Sequence, residues 1–183
     1  IGIVEAEFAG FGASGRNGGW LTGEFTWSRA RYAAVAGRDA VLAMQQAMWA
    51  SVDEVITVAA REGIDADIVK AGELRVALTP AQLGRLHQAR AHEHAWGVTD
   101  DDSRWLDADA VLARVNIAGA LGGDWSPHAA RIQPAKLVRG LTACVRDLGV
   151  DIWEGTPAIS VAPHRVQTPH ATVSAAVVVR ATE

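Results

Sequence analysis

The chain has 183 residues, 49% of them hydrophobic, and a formal net charge of −4 at pH 7. That length supports one large domain or two small ones with a sizeable core, and the acidic balance argues against a general nucleic-acid binder. No apolar run reaches the length of a membrane span and no signal peptide is visible; the single cysteine, Cys144, excludes an internal disulfide framework and suits a reducing cytosol.

In chain order, IGIVE (1–5) reads as a short buried strand that ends on an acid. GFGASGRNGG (10–19) follows, with five glycines in ten positions. Glycine is costly in conformational entropy, so the cluster needs a reason. It is either a mobile turn or a loop whose backbone N–H groups approach a ligand closely, often a phosphate. Residues 34–62 read as a helix in which Leu42, Trp49 and Ile56 recur along one stripe, with Val52, Val55 and Ala59 on a neighbouring one; Gly63 sits where its C-cap belongs.

Residues 73–79 alternate, with Leu74, Val76 and Leu78 on one face and Arg75 on the other, as in a half-buried strand. Thr79-Pro80-Ala81-Gln82 has the capping-box pattern and starts a helix that runs to about Ala95. TDDDSRW (99–105) reads as an acidic surface loop, and Asp107 as the cap of a short helix through Arg114. Residues 118–133 are glycine-rich and extended, with a strand near 118–125 expected in the same sheet as 73–79. Pro134 opens a helix with Leu137, Val138, Leu141, Val145 and Leu148 as its apolar stripe, ended by Gly149. Short strands follow at 150–153, 158–161 and 165–168, and AAVVVRA (175–181) has the near-continuous apolar character of a strand buried on both faces. There is no internal repeat. A buried strand at each end with an α+β block between them implies two interleaved domains. The chain opens on Ile1 inside a strand and closes just after another, so both ends read as cuts from a longer protein.

In a dinucleotide-binding βαβ unit, a glycine fingerprint follows the first strand, and an acid about 20 residues later closes the second strand and holds the adenosine ribose. Glu5 suits that acid. IVEAEFAGFGASGRNGGW resembles the second strand and following loop of FAD-dependent amine and amino-acid oxidoreductases, the group of D-amino-acid oxidase, glycine oxidase and sarcosine oxidase. The GASGRNGG form is most similar to γ-glutamylputrescine oxidoreductases. HAARIQPAKLVRGLTACVRDLGVDIWEGTPAISV is similar to the family's return from substrate domain to FAD domain, and VVVRATE to the strand that approaches the flavin.

The resemblance implies an α/β plus α+β fold. A partial, Rossmann-like FAD-binding domain would span 1–19 and 134–183, with the substrate domain over 20–133. It implies FAD as cofactor, with Glu5 on the ribose, Ser14, Arg16, Asn17, Gly18 and Gly19 along the pyrophosphate and flavin side, and the Ala158 backbone at the adenine. Trp20 and His128 are the candidates to face substrate. The implied activity is oxidation of the C–N bond of a small amine or amino acid by hydride transfer to flavin N5. Oxygen or an electron carrier would be the acceptor, in the cytoplasm. No catalytic base is named. The family's glycine fingerprint and its C-terminal part are absent from these residues, so the chain by itself is expected to be colourless and prone to associate. The alternatives are a truncated, non-enzymatic product that binds no flavin and a flavin dehydrogenase that uses an acceptor other than oxygen.

His87, His92 and His94 look like a metal cluster, but residues two apart on a helix do not share a face, and no cysteine or paired acid completes a site; no metal is expected. Cys144 lies mid-helix among apolar residues and reads as an inert core side chain.

Overall fold

The structure, a computed structural model, describes residues 1–182. The elements begin with β1 (Gly2–Val4), α1 (Ala13–Arg16), β2 (Trp20–Thr22), α2 (Arg29–Ala36), α3 (Arg38–Arg61), β3 (Glu73–Ala77), α4 (Pro80–Ala95) and β4 (Arg104–Leu106). They continue with α5 (Ala108–Leu112), β5 (Gly122–Ser126), β6 (Ala129–Arg131), α6 (Pro134–Asp147), β7 (Asp151–Trp153), β8 (Ser160–Ala162), β9 (Arg165–Gln167) and β10 (Thr172–Ser174). The chain forms two compact units. One holds Ile1–Gly18, Arg61–Ala66 and Gln133–Glu183; the other holds Gly19–Ala60 and Asp67–Ile132.

The first unit is built on a parallel pair, β1 with β7, in register from Gly2↔Asp151 to Val4↔Trp153. α6 starts at Pro134, where the Gln133 side chain accepts the Lys136 N–H at 2.9 Å. It packs against α1, and at Gly140 it lies so close to Ile64 that a Cβ there would sit 2.4 Å from the Ile64 side chain. β8, β9 and β10 form an antiparallel meander.

Two expectations fail in this unit. The apolar run 175–181 forms no strand; Val177 is 76% exposed and Val179 79%, and β10, which the sequence did not suggest, is the last strand. β1 is a strand but an exposed one, with Ile3 41% accessible. An apolar strand reads as buried because of what it could bury, yet burial needs a strand alongside and a layer on each face. Among the described residues, β1 has β7 alone as ladder partner. The α6 stripe is likewise only partly covered, with Leu148 81% exposed.

The second unit is α+β. β3, β5 and β4 form an antiparallel sheet in that order, with Glu73↔Ser126 through Ala77↔Gly122 and Arg104↔Trp125 through Leu106↔Gly123 in register. β2 pairs antiparallel with β6. The expected sheet with 73–79 and a strand near 118–125 is present; the two strands are direct neighbours, and the second is shifted to Gly122–Ser126. Leu78 falls beyond β3 and is exposed. The acidic stretch is not all loop, since its last residues, Arg104 and Trp105, open β4.

The long helix expected over 34–62 is two helices broken at Gly37. α3 buries Val41, Gln45, Val52 and Ala59 most deeply, while Leu42, Trp49 and Ile56 lie half-buried at the rim of that face. Gln45, Val52 and Ala59 are themselves seven residues apart, so the repeat is present and it is the stripe's place around the helix that differs, set by what α3 packs against.

α4 carries the full capping box. The Thr79 hydroxyl accepts the Gln82 N–H at 3.3 Å, and Gln82 Oε1 accepts the Thr79 N–H at 3.0 Å. Thr79→Ala should therefore destabilise this unit by about 1 kcal/mol, read as a lower urea midpoint with unchanged slope. Retention of the midpoint would show that the cap carries no stability.

Candidate functional site

Parallel pairing brings the carboxyl ends of β1 and β7 to the same end of the first unit, the end at which open α/β sheets bind ligands. Glu5 stands there, half-buried, and its carboxylate accepts the Glu7 N–H at 3.0 Å. The glycine-dense loop begins five residues on. It is tight: a Cβ on Gly15 would lie 2.2 Å from the Gly10 carbonyl oxygen, so only glycine lets the loop close on itself. Ser14 and Arg16 lie on α1, a single turn, with Asn17 and Gly18 just after it, and all four are exposed.

Arg16 Nε donates to the Gly12 carbonyl at 3.3 Å, and its guanidinium lies 5.2 Å from the Phe11 ring centroid. Asn17 Nδ2 donates to the carbonyls of Ala13 and Ser14, each at 3.2 Å. The loop thus presents one cation and two small polar side chains on an exposed, internally braced turn. Ala158 is exposed in the segment before β8, which starts only at Ser160; the expected strand around it begins two residues late.

Gly19, Trp20 and His128 belong to the second unit. Gly19 is buried, and Trp20, on β2, is 85% exposed. His128 lines a cavity of about 360 Å³ in this unit. The cavity's floor follows from strand alternation. Arg75 stands opposite Asp124, so Glu73 and Arg75 on β3 and Asp124 and Ser126 on β5 share one face of the sheet. Burial, and then the charge of Asp124, push the Glu73 carboxyl up from the usual carboxylate range, although Arg75 Nε donates to it at 2.8 Å.

Asp124 is held by Arg90 at 3.0 Å and by the Ser103 hydroxyl at 2.8 Å. The His128 ring stacks on Trp49 at 4.1 Å and 8°, and its Nε2 meets Asp102 Oδ1 at 3.0 Å. Burial pushes the Asp102 carboxyl up, but the Thr99 N–H, the Thr99 hydroxyl and His128 outweigh it and hold Asp102 below the usual range. Arg29 donates to Glu93 at 2.6 Å and Gln45 at 2.7 Å, while its Nε is buried without a hydrogen-bond partner.

This arrangement fixes the orientation of the His128 ring and lines the cavity with charged side chains. It contains no nucleophile–base pair. Trp49 and Asp102 escaped the sequence reading, because a helical stripe residue and one aspartate of three look like core and surface. The tract around His128 was the available signal. Among the described residues, no three His, Cys, Asp or Glu side chains gather to hold a metal; His87 packs on Trp105, and His94 faces Asp100 at 3.4 Å. Cys144 is half-buried, with Sγ 3.9 Å from the Glu62 carbonyl.

A family model described as DAO, FAD dependent oxidoreductase, matches residues 1–183. No curated protein sequence matches the chain. Among solved structures, glycine oxidase from Bacillus cereus ATCC 14579 superposes with a TM-score of 0.69 at 18% identity, over 95% of this chain and 46% of that one. Glycine oxidase from Geobacillus kaustophilus does so with 0.68 at 22%, over 96% and 46%. The dithionite-reduced L-α-glycerophosphate oxidase from Mycoplasma pneumoniae, with FAD bound, gives 0.64 at 14%, over 93% and 44%. These identities speak for a shared fold, and the chain spans less than half the length of each of these proteins.

Proposed function

We propose, from the premise that this chain belongs to the family of FAD dependent oxidoreductases, that the full-length protein oxidises the C–N bond of a small amine or amino acid. The family match over all 183 residues carries this reading. FAD is the family's cofactor; when bound, it supplies the acceptor for the hydride that leaves the carbon beside the nitrogen.

The residues of the first unit fit such a group. Glu5 follows a strand paired in parallel with β7, which supports reading it as the acid that would hold ribose hydroxyls. The loop at 10–19 is closed tightly enough for backbone to approach a ligand, and Ser14, Arg16 and Asn17 are the side chains it offers to the pyrophosphate and flavin side. The Ala158 backbone would meet the adenine, where no particular side chain is needed. In this reading the first unit is the FAD-binding part. The second unit is the substrate part, with Trp20 and the imidazole of His128 as the groups that face substrate. The mechanism asks of the protein that it bind, orient and exclude water, and the reading assigns no base.

The resemblance of the GASGRNGG loop to γ-glutamylputrescine oxidoreductases makes a γ-glutamylputrescine-like amine the first substrate to try; oxygen or an electron carrier would be the acceptor, in the cytoplasm. The solved structures include an oxidase of α-glycerophosphate, so the substrate class needs a direct test. Anaerobic mixing of the full-length flavoprotein with amines, amino acids and γ-glutamylputrescine should bleach the flavin absorbance. Bleaching by alcohols alone would sink the reading. Oxygen uptake against dye reduction separates an oxidase from a dehydrogenase.

Arg16→Ala should weaken FAD retention or slow flavin reduction by roughly tenfold, the scale of one charge-assisted hydrogen bond. Unchanged retention together with an unchanged reduction rate removes Arg16 from the site.

A further inference from the structure

Beyond β7 the chain turns at Glu154 and Gly155 and runs back along the end of β1. Three backbone hydrogen bonds join the two segments: Glu5 N–H to the Trp153 carbonyl at 2.9 Å, Thr156 N–H to the Glu5 carbonyl at 2.8 Å, and Gly155 N–H to the Glu7 carbonyl at 2.7 Å. A fourth contact uses a side chain. The Ala9 N–H, immediately before the glycine loop, donates to Glu154 Oε1 at 2.8 Å. The other carboxylate oxygen accepts from Arg146 Nη2 at 3.3 Å, in the last turn of α6. α6 is also the helix against which α1 packs.

Glu154 therefore ties together the end of β7, the end of α6 and the entry to the loop. The Ala9 N–H first, then Arg146, hold its carboxyl below the usual carboxylate range, so it is a charged acceptor at neutral pH. The ion pair with Arg146 is exposed, and exposed pairs contribute little by themselves. What Glu154 contributes is an acceptor at a fixed place. From Phe8 to Phe11 the backbone bond is Phe11 N–H to the Phe8 carbonyl, a turn internal to the loop; the last backbone bond to the neighbouring segment is that of Gly155 N–H to the Glu7 carbonyl, before this turn.

We infer that Glu154 is a positioning residue for the glycine loop: by accepting the Ala9 N–H it sets where the loop starts relative to Glu5, and so the spacing between the ribose acid and Ser14, Arg16 and Asn17. The role toward the cofactor rests on the flavin reading above. The clamp itself rests on the geometry alone.

The test uses Glu154→Ala and Glu154→Gln in the full-length protein, with two readouts: amide hydrogen exchange over residues 6–19 without flavin, and the FAD dissociation constant by titration. In Glu154→Ala, exchange over 9–16 should quicken, and FAD affinity should fall, each by about tenfold, while exchange in the β3–β5 ladder stays as in the wild type. Glu154→Gln keeps the acceptor oxygen and should stay close to wild type in both.

Unchanged loop exchange in the alanine variant overturns the clamp. Faster loop exchange with unchanged FAD affinity overturns the positioning role and leaves the flavin reading standing. An equal loss in the glutamine variant overturns the hydrogen-bond account in favour of charge. A wild-type protein that binds no FAD overturns the flavin reading and the role with it, while the clamp still shows in exchange.

Discussion

Gly72→Ala is expected to destabilise the second unit by about 3–5 kcal/mol, the combined scale of left-handed backbone strain and overpacking. Gly72 has φ +79°, in the region that a side chain disfavours. A Cβ there would lie 2.3 Å from the Ser126 carbonyl oxygen and 2.6 Å from Trp125 Nε1. Neither neighbour can move cheaply. Ser126 is paired with Glu73 in the ladder, and Trp125 Nε1 donates to the Ala71 carbonyl at 3.1 Å. The Gly72 N–H also donates to the Ala129 carbonyl at 3.0 Å, so the shift reaches the strand after His128.

The loss is measured as the urea midpoint of the unit. Gly84→Ala is the internal control. Gly84 lies within α4 with nothing inside 4 Å of its built Cβ, and alanine there should stabilise by roughly 0.5–1 kcal/mol. If the two substitutions move the midpoint in the same direction, the steric account of Gly72 is wrong.

Arg90→Met should cost about 3 kcal/mol, the lower end for breaking a buried ion pair from one side. The Arg90 side chain is 15% exposed and Asp124 is 16% exposed, with 3.0 Å between them. Arg90 also donates to the Ser103 hydroxyl at 3.2 Å and, by a shorter contact, to the Ser103 carbonyl. Methionine keeps much of the stem's packing but leaves the Asp124 carboxylate with the Ser103 hydroxyl and no cation. Adding Asp124→Leu removes the stranded charge and should recover a large part of the loss. A single-variant cost below about 1 kcal/mol would place this pair with ordinary surface pairs. A double variant weaker than the single would mean that the pair's geometry, and not the uncompensated charge, carries the effect. Asp124 faces the His128 cavity, so the same variant also tests how far the cavity's charge pattern depends on that one arginine.

Local signals were read correctly where the physics is local. Thr79-Pro80-Ala81-Gln82 satisfies its own helix terminus within four residues, so the cap of α4 is visible in the sequence and present in the fold. Asp107 caps α5 for the same reason, and the alternation of Leu74, Arg75 and Val76 follows from the strand repeat alone. The glycine density at 10–19 likewise announced a backbone under constraint, and Gly15 against the Gly10 carbonyl is that constraint.

What failed depended on neighbours far along the chain. The composition of 175–181 describes a strand that could be buried on two faces, but whether a strand and two layers lie beside it is a tertiary fact. The centre of the α3 face was set by what α3 packs against, which moved burial from Leu42, Trp49 and Ile56 to Val41, Val52 and Ala59.

The sites divide in the same way. Glu5 and the loop could be proposed together from the sequence because a strand-end acid and a glycine cluster are adjacent in it. The contact from Glu154 to Ala9 spans 145 residues, and that from His128 to Asp102 spans 26. Neither has a spacing rule, because the residues meet only through the pairing of β1 with β7 or the packing around β5. Sequence by itself determined the local elements, their caps and the family resemblance. The tertiary structure alone decided which apolar faces are covered and which charges stand together, since both are set by contacts between segments that the chain keeps far apart.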